Sequence, residues 1–390
     1  MKFTKSRKRN LGDGKPIERE ENLEELKFKI FKMNGKLKPK NPYRIIYVFC
    51  FFEFGCESLS LMYILPRIIR NNPNCYIIAV GWFGREYLYR HLVDEYWELG
   101  EEFQFLRDFS NAFANSSKNL IAFYKKLALK HTVYSSAYMG RAFLTSVCLN
   151  CHHQWVASNP NNPCPNCKLR AIERSIFSDM AYHKEDAVPI PLPSPAFLEE
   201  AKKYVKPNTV GIFARSRATY GRNLPPEFYI KLIERLESRN YNVIWLGEKQ
   251  SVMPCPVEHV LDFSRLPESR NLELTLAIVS HLKFTIQFWT ASTRLSSIVK
   301  TPWILFESPD QILGNGQEGK RIFLTTDTNK KKIVLSQFWN TVERQDEALD
   351  LLDTTISEME RENWSDVVGL VDNPNVVYQM LQNQLGSFNV

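Results

Sequence analysis

The stretch Val210-Gly211-Ile212-Phe213-Ala214-Arg215-Ser216-Arg217-Ala218-Thr219-Tyr220-Gly221-Arg222-Asn223 decides how the rest of the chain is read. Val210 to Ala214 is a short apolar run, which predicts a buried strand. The chain then turns basic, with Arg215, Arg217 and Arg222 grouped around the turn residue Gly221. Pro225 and Pro226 precede a helical pattern that sets Phe228, Leu232, Ile233 and Leu236 on one face. A second apolar run, Asn242 to Leu246, completes strand, loop, helix and strand, a βαβ unit. Ligands of open α/β sheets sit beyond the carboxyl ends of the strands. Three guanidiniums delivered there suit a phosphate-bearing ligand, because each offers a planar fork of donors to phosphate oxygens. A solvated basic loop on any α/β protein fits the same spacing.

Downstream, the alternation continues. Val260 to Phe263 predicts a short strand, Leu272 to His281 a helix and Phe284 to Phe288 the next strand. Thr290-Ala291-Ser292-Thr293 then caps a helix over Arg294 to Lys300, and Trp303 to Phe306 reads as a further strand. From Ser336 onward the tail reads as helical, with Trp339, Val342, Leu349, Leu352, Ile356 and Met359 roughly on one face, packing back across the domains.

Upstream, Tyr43 to Phe52 predicts a buried parallel strand, and Cys75 to Val80 a second one. Ser58 is an N-cap for a helix through Ile69, and Arg85 to Leu99 reads as a helix with Leu88, Leu92, Val93 and Tyr96 inward. A short strand at Phe103 to Leu106 and a helix at Asn119 to Lys130 follow. Alternating strands and helices predict a doubly wound sheet here too. Glu53 and Glu57 fall at the carboxyl end of this domain's first strand, where a general base would stand. Residues 1–42 are a charged leader, basic at first and then mixed from Glu18 to Lys32, a segment able to form a helix. Ala187 to Pro195 carries four prolines and reads as a semi-rigid spacer between domains.

Between the halves lies Cys148-x2-Cys151 followed by Cys164-x2-Cys167. Each pair lets a tight turn aim two thiolates at one tetrahedral ion, and the second pair closes the site. The pattern predicts a zinc ribbon. Four thiolates leave no open coordination position, so the zinc is structural. Trp155 is placed to cover the site, and His152 and His153 read as exposed neighbours or as substitute ligands.

Length and composition set the frame. The 390 residues provide for two or three domains, and 44% hydrophobic with 24% charged residues is the balance of a soluble globular chain. The net charge of +7 permits an anionic partner without requiring one. The longest clean apolar run, Ile45 to Phe52, is far shorter than the roughly 20 residues of a membrane span. The amino terminus has no apolar core of a secretory signal. Four of the eight cysteines are scattered rather than paired, a usage that fits a reducing, cytoplasmic compartment. No complete phosphate-binding Gly-x4-Gly-Lys-Ser/Thr occurs, which argues against P-loop ATPases.

The second domain resembles the nucleotide-sugar half of two-domain, GT-B-type glycosyltransferases, in particular bacterial heptosyltransferases. The resemblance rests on Thr290 to Thr293, the Thr301-Pro302 turn, Leu305-Phe306, Pro309-Asp310 and Gly314, in that order. The basic loop is similar to the diphosphate-binding arginines of fucosyltransferase-type enzymes. In the first domain, the turn at Gly55 before Leu65-Pro66-Arg67 is similar to the acceptor-side loop of heptosyltransferases. Gln287-Phe288-Trp289-Thr290 replaces the family's Gly-Asp-Ser-Gly, and a zinc ribbon is not a usual part of that fold. The resemblance implies an α/β architecture of two Rossmann-like domains (GT-B-like) with an inserted zinc ribbon and a C-terminal helical tail. The expected divisions are a leader over 1–42, an acceptor domain over 43–147, the ribbon over 148–167, a linker over 168–206, a nucleotide-sugar domain over 207–330 and the tail over 331–390.

It further implies a glycosyltransferase moving a sugar from a nucleotide-sugar donor to an acceptor, a glycan or a nucleic acid. Arg215, Arg217, Arg222, Thr290, Ser292 and Thr293 would bind the donor diphosphate. Glu307 and Asp310 would lie in the nucleotide-side loop, and Glu53 and Glu57 are the candidate bases. No Asp-x-Asp occurs, so the transfer chemistry is expected to be metal-independent. Two other readings remain open. One is a sugar-nucleotide epimerase or other non-transferase on the same fold. The other is a nucleic-acid-binding or scaffolding protein using the basic leader and the ribbon.

Overall fold

The computed structural model describes residues 28–33, 44–50, 65–73, 75–100, 127, 131–135, 144–147, 151, 153–157, 164–168, 188–214, 216, 223–249, 252–288, 293–307, 331–335, 342–361 and 368–369. The first domain is a five-stranded sheet. Its strands are β1 (Phe28–Lys32), β2 (Arg44–Cys50), β3 (Cys75–Gly81), β4 (Glu95–Leu99) and β5 (Thr132–Ser135), in the order β1-β4-β3-β2-β5. All neighbours are parallel except β1, which runs antiparallel along β4. Helix α1 (Leu65–Asn71) and the single turn α2 (Glu86–Tyr89) belong to this half.

Two expectations fail here. Glu95–Leu99 is a strand, not the end of a helix from Arg85. Leu88, Leu92, Val93 and Tyr96 recur at helical spacing, but Glu95 and Glu98 are buried with them and the segment pairs on both sides. Phe28–Lys32, read as part of a solvated leader, is an edge strand whose Lys32 ion-pairs with Glu95 across the ladder. The strand expected at Phe103 to Leu106 and most of the helix at Asn119 to Lys130 lie outside the described residues.

A hairpin of β6 (Leu144–Val147) and β7 (Gln154–Ala157) forms a separate two-stranded sheet, with β6 lying near β5. Segment 188–194 leads into α3 (Pro195–Ala201). It is more than a spacer: Ile190 is buried, and Ser194 N donates to Glu273 Oε1 at 2.9 Å.

The second sheet has seven parallel strands. They are β8 (Thr209–Phe213), β9 (Asn242–Trp245), β10 (Leu261–Asp262), β11 (Phe284–Phe288), β12 (Trp303–Glu307), β13 (Lys331–Leu335) and β14 (Val368–Gly369). Their order is β10-β9-β8-β11-β12-β13-β14. Taken from β8 onward this is 3-2-1-4-5-6-7, the doubly wound arrangement that reverses direction between β8 and β11. Helices α4 (Pro226–Ser238), α5 (Leu272–Ser280), α6 (Thr293–Ile298) and α7 (Val342–Glu360) complete the domain.

Every residue of β8 is buried, as a central parallel strand requires. Val210, Ile212 and Ala214 pack on one side with Phe228, Leu232, Ile233 and Leu236 of α4. Phe213 packs on the other side with Leu274, Leu276 and Ile278 of α5. Gly211 on that second side has no room for a side chain, since a Cβ would lie 2.6 Å from Leu282 Cδ1 and 2.8 Å from Leu246 Cδ1.

The tail differs from its prediction in two ways. Lys331–Leu335 and Val368–Gly369 are strands that extend the sheet. Helix α7 braces the second domain rather than crossing between the two. Its Ala348, Leu349, Leu352, Ile356 and Met359 join the α4 side of the core, and Arg235 and Arg239 of the α4 end hold Asp353 at 2.7 and 3.0 Å.

Candidate functional site

The candidate site is built from strand ends. Strands β8 and β11 lie side by side, with Phe213 opposite Gln287 at their carboxyl ends. Between such strands the helical connections leave to opposite faces of the sheet and open a crevice. The basic segment begins immediately after Ala214, and the Thr290–Thr293 segment begins immediately after Phe288. The order of elements therefore brings the strand ends that precede the two predicted donor-binding segments, Ala214 before Arg215 and Phe288 two residues before Thr290, to one switch point. Arg215, Arg217, Arg222, Thr290, Ser292 and Asp310 lie outside the described residues. Thr293 opens α6, and Glu307 ends β12, the strand next to β11.

Helix α6 is held against β11 by a buried polar network that the sequence reading missed. Gln287 Nε2 donates to Thr285 Oγ1 and to Ser296 Oγ, both at 2.7 Å. Thr285 Oγ1 and Ser296 Oγ are 2.8 Å apart. Gln287, Thr285 and Ser296 are all fully buried, so the network replaces apolar packing where the helix starts. Gln287 thus ties helix to strand. Arg294, in the first turn of α6, is buried as well.

The first domain repeats the geometry. Its order also reverses, between β2 and β5, and β2 ends at Cys50. Glu53 and Glu57 follow, outside the described residues. The two sheets then meet by their carboxyl ends. Arg85, shortly after β3, donates from Nη2 to Glu248 Oε1 at 2.7 Å, and Glu248 lies shortly after β9. Cys50 is registered against Gly81, and Ile212 against Trp245. The ends of β2 and β8 are therefore each one strand spacing, about 4.8 Å, from strands whose following loops touch across the seam.

Beside this seam, Glu98 Oε2 accepts from Gly84 N at 2.8 Å. Burial pushes the Glu98 carboxyl up to about 7.

The cysteine cluster is a second, separate centre. The connection between β6 and β7 holds Cys148 and Cys151 in sequence, and Val147 pairs with Gln154 at its base. The Sγ atoms of Cys151, Cys164 and Cys167 all lie within 4.8 Å of one another. Cys151 and Cys164 are 3.6 Å apart. That is far beyond a disulfide bond of about 2.05 Å. It suits two thiolates on one tetrahedral ion with bonds of about 2.3 Å, which places the sulfurs roughly 3.8 Å apart. The second knuckle has the matching backbone turn: Lys168, at φ 60°, donates its N–H to Cys164 O at 2.8 Å. Asn166 Nδ2 lies 3.6 Å from Cys151 Sγ. The donor set fits a metal ion. Cys148 and the Trp155 side chain lie outside the description, and His153 is exposed.

No protein-family profile matches the chain, and no curated protein matches it. Among solved structures, the chain is similar to a glycosyl transferase family 9 protein from Veillonella parvula, at 10% identity and a TM-score of 0.45, over 90% of this chain and 98% of that one. It is similar to the E. coli ADP-heptose lipopolysaccharide heptosyltransferase II at 11% identity and a TM-score of 0.45, over 81% of this chain and 99% of that one. The E. coli heptosyltransferase WaaC with ADP aligns at 12% identity and a TM-score of 0.44, over 80% and 99%. The two-sheet architecture described above stands on its own strand order and register. No described helix is long and apolar enough to cross a membrane.

Proposed function

We propose that the chain is a nucleotide-sugar-dependent glycosyltransferase working at the seam between its two doubly wound domains. One observation carries this reading: β8 and β11, the strands that precede the basic segment and the Thr290–Thr293 segment in sequence, are neighbours at the switch point of the second sheet, and Arg85 beyond the end of β3 reaches Glu248 beyond the end of β9. Arg215, Arg217 and Arg222 bind the donor diphosphate, with the hydroxyls and amides of Thr290, Ser292 and Thr293 on its other side. Glu307 and Asp310 border the nucleotide. Glu53 or Glu57 takes the proton from the acceptor hydroxyl, whose oxygen forms the new bond to the anomeric carbon. The bond from that carbon to the diphosphate breaks, and the nucleoside diphosphate leaves with the electron pair, its growing charge met by the arginines. Cys148, Cys151, Cys164 and Cys167 hold a structural zinc that staples the ribbon and takes no part in transfer.

The test is calorimetric titration of Arg215→Ala and Arg222→Ala with UDP, GDP, ADP and CMP, beside a transfer assay with the matching sugar nucleotides. Charge-assisted bonds to phosphate contribute roughly 1.5–3 kcal/mol each. Each variant should therefore bind about ten- to a hundredfold more weakly. Unchanged affinity and transfer in both variants removes the loop from the site. Glu53→Gln and Glu57→Gln in the same assay identify the base.

A further inference from the structure

Strands β8, β11, β12 and β13 are neighbours and run parallel, so their amino ends share one edge of the second sheet, opposite the switch point. The chain comes to this edge from α3, α5 and α6, which all pack into the same apolar cluster. Each helix is followed by exposed lysines before the next strand begins: Lys202, Lys203 and Lys206 before β8, Lys283 before β11, and Lys300 before β12. Lys331 opens β13, the next strand along. Of the two glutamates near the end of α3, Glu199 is taken up by Lys202. Among the described residues, Lys203, Lys206, Lys283 and Lys300 have no ion-pair partner. The opposite side of the sheet differs, since Lys231, Arg235 and Arg239 each meet a carboxylate of α7.

Helix dipoles account for cations in a last helical turn. Lys206, Lys283 and Lys300 lie past it, in connections whose backbone is fixed. Thr209 Oγ1 donates to Lys206 O at 2.7 Å, Lys283 N to Thr209 O at 2.9 Å, and Thr301 Oγ1 to Val279 O at 2.7 Å. Lys300 has φ 58°, the left-handed conformation in which Gly or Asn normally ends a helix. A long positive side chain therefore stands on this edge against the backbone preference.

We propose that this lysine edge is a docking surface for an anionic lipid bilayer. Lysine ammonium groups are hydrated point charges on flexible stems, which suits the diffuse negative charge of a headgroup layer. Residues 202–208, 281–283 and 299–302 include no arginine and no exposed aromatic ring. Those are the groups that fork phosphates and stack bases on nucleic acid. Docked this way, the five-residue strands hold the switch point roughly 17 Å from the headgroups, facing away from them. The surface is independent of the donor chemistry, because it lies at the other end of the strands.

The experiment is co-sedimentation of the full-length chain with vesicles of phosphatidylcholine, alone or mixed with phosphatidylglycerol at roughly three to one. The wild type should bind the mixed vesicles at low salt, ignore the neutral ones, and be released at about 0.5 M salt. Each lysine near an anionic surface contributes about fivefold to partitioning, so Lys206→Gln with Lys283→Gln should weaken binding roughly 25-fold. Lys231→Gln removes a charge from the α4 side and should bind as the wild type does. Lys300→Gly should bind about fivefold more weakly yet melt at an unchanged or higher temperature, because Gly accepts that backbone. Its weaker binding would then not come from damage to the fold. The proposal is overturned if the wild type does not bind the mixed vesicles, or if the Lys206–Lys283 double variant binds as tightly, which would pass the binding to the basic residues of 1–42. It is equally overturned if Lys231→Gln weakens binding as much as a single edge variant, or if the edge lysines govern binding to a DNA duplex and not to vesicles. Failure of the donor-binding test would leave these outcomes untouched.

Discussion

Gln287 places a long polar side chain in the central layer of the second sheet, where an apolar residue would be the simpler filling. Its amide nitrogen bridges Thr285 on its own strand and Ser296 on α6, and Ser296 also meets Thr285, so the helix cannot slide along β11 without breaking the two bonds to Ser296. Buried polar groups cost stability unless they are satisfied, and here each hydroxyl has a partner. Replacing Gln287 with Leu should remove two neutral hydrogen bonds but leave Thr285 and Ser296 bonded to each other. The expected loss is therefore modest, about 1–2 kcal/mol in a urea denaturation. Nucleoside diphosphate affinity should fall with it, since the same helix carries Thr293. A Gln287→Leu chain with unchanged stability and affinity would show that the network is incidental to the site.

At the scale of elements, two attachments are held by different forces. Helix α7 meets α4 through Arg235, Arg239, Asp350 and Asp353, and all four remain partly open to water. Ion pairs of that kind are worth about 0–1 kcal/mol, whereas truncating a buried leucine costs about 2–5 kcal/mol. Leu352→Ala should thus destabilise far more than Arg235→Ala in the same thermal melt, and the reverse ranking would make the helix an electrostatic strap. The β6–β7 hairpin, by contrast, pairs with neither large sheet, and its cysteines are the expected staple. The purified chain should carry about one zinc, and Cys164→Ala should lose it together with the fold of the hairpin. Metal analysis finding none after reducing, chelator-free purification would end the ribbon reading.

The elements legible in the sequence were those whose pattern came from one source. Val210–Ala214 is an uninterrupted apolar run because both faces of the sheet are covered, and in β11 Phe284, Ile286 and Phe288 recur at every second residue. Glu95–Leu99 was hidden because two of its five buried or half-buried residues are glutamates, satisfied by groups distant in sequence such as Lys32 and Gly84. Arg85 and Glu248, 163 residues apart, carry no local signal at all. The strands that precede the basic segment and the Thr290–Thr293 segment were readable, while the contact of Arg85 with Glu248 was not.

At the scale of the molecule, the question is whether the two domains behave as one body. Interfaces between domains of a chain usually permit relative motion unless they are large and apolar. Here Ile46, Ile69 and Tyr87 of the first domain belong to the same buried cluster as Phe213, Leu246 and Leu276 of the second, with Ile190 of the joining segment among them. The polar contacts of Arg85 and Arg90 therefore trim a seam that already has an apolar floor. Such coupling should make unfolding a single event, with calorimetric and van't Hoff enthalpies in agreement. Ile190 is the place to break it, being buried to 5% exposure and joined to neither sheet. Ile190→Asp forces a charge into that floor, so the charge must either stay unpaired or separate the domains. The variant should melt in two steps, the first well below the wild-type midpoint. If the wild type itself melts in two separated steps, or if Ile190→Asp keeps one step at an unchanged temperature, the domains are joined only by their polar contacts and the chain between them.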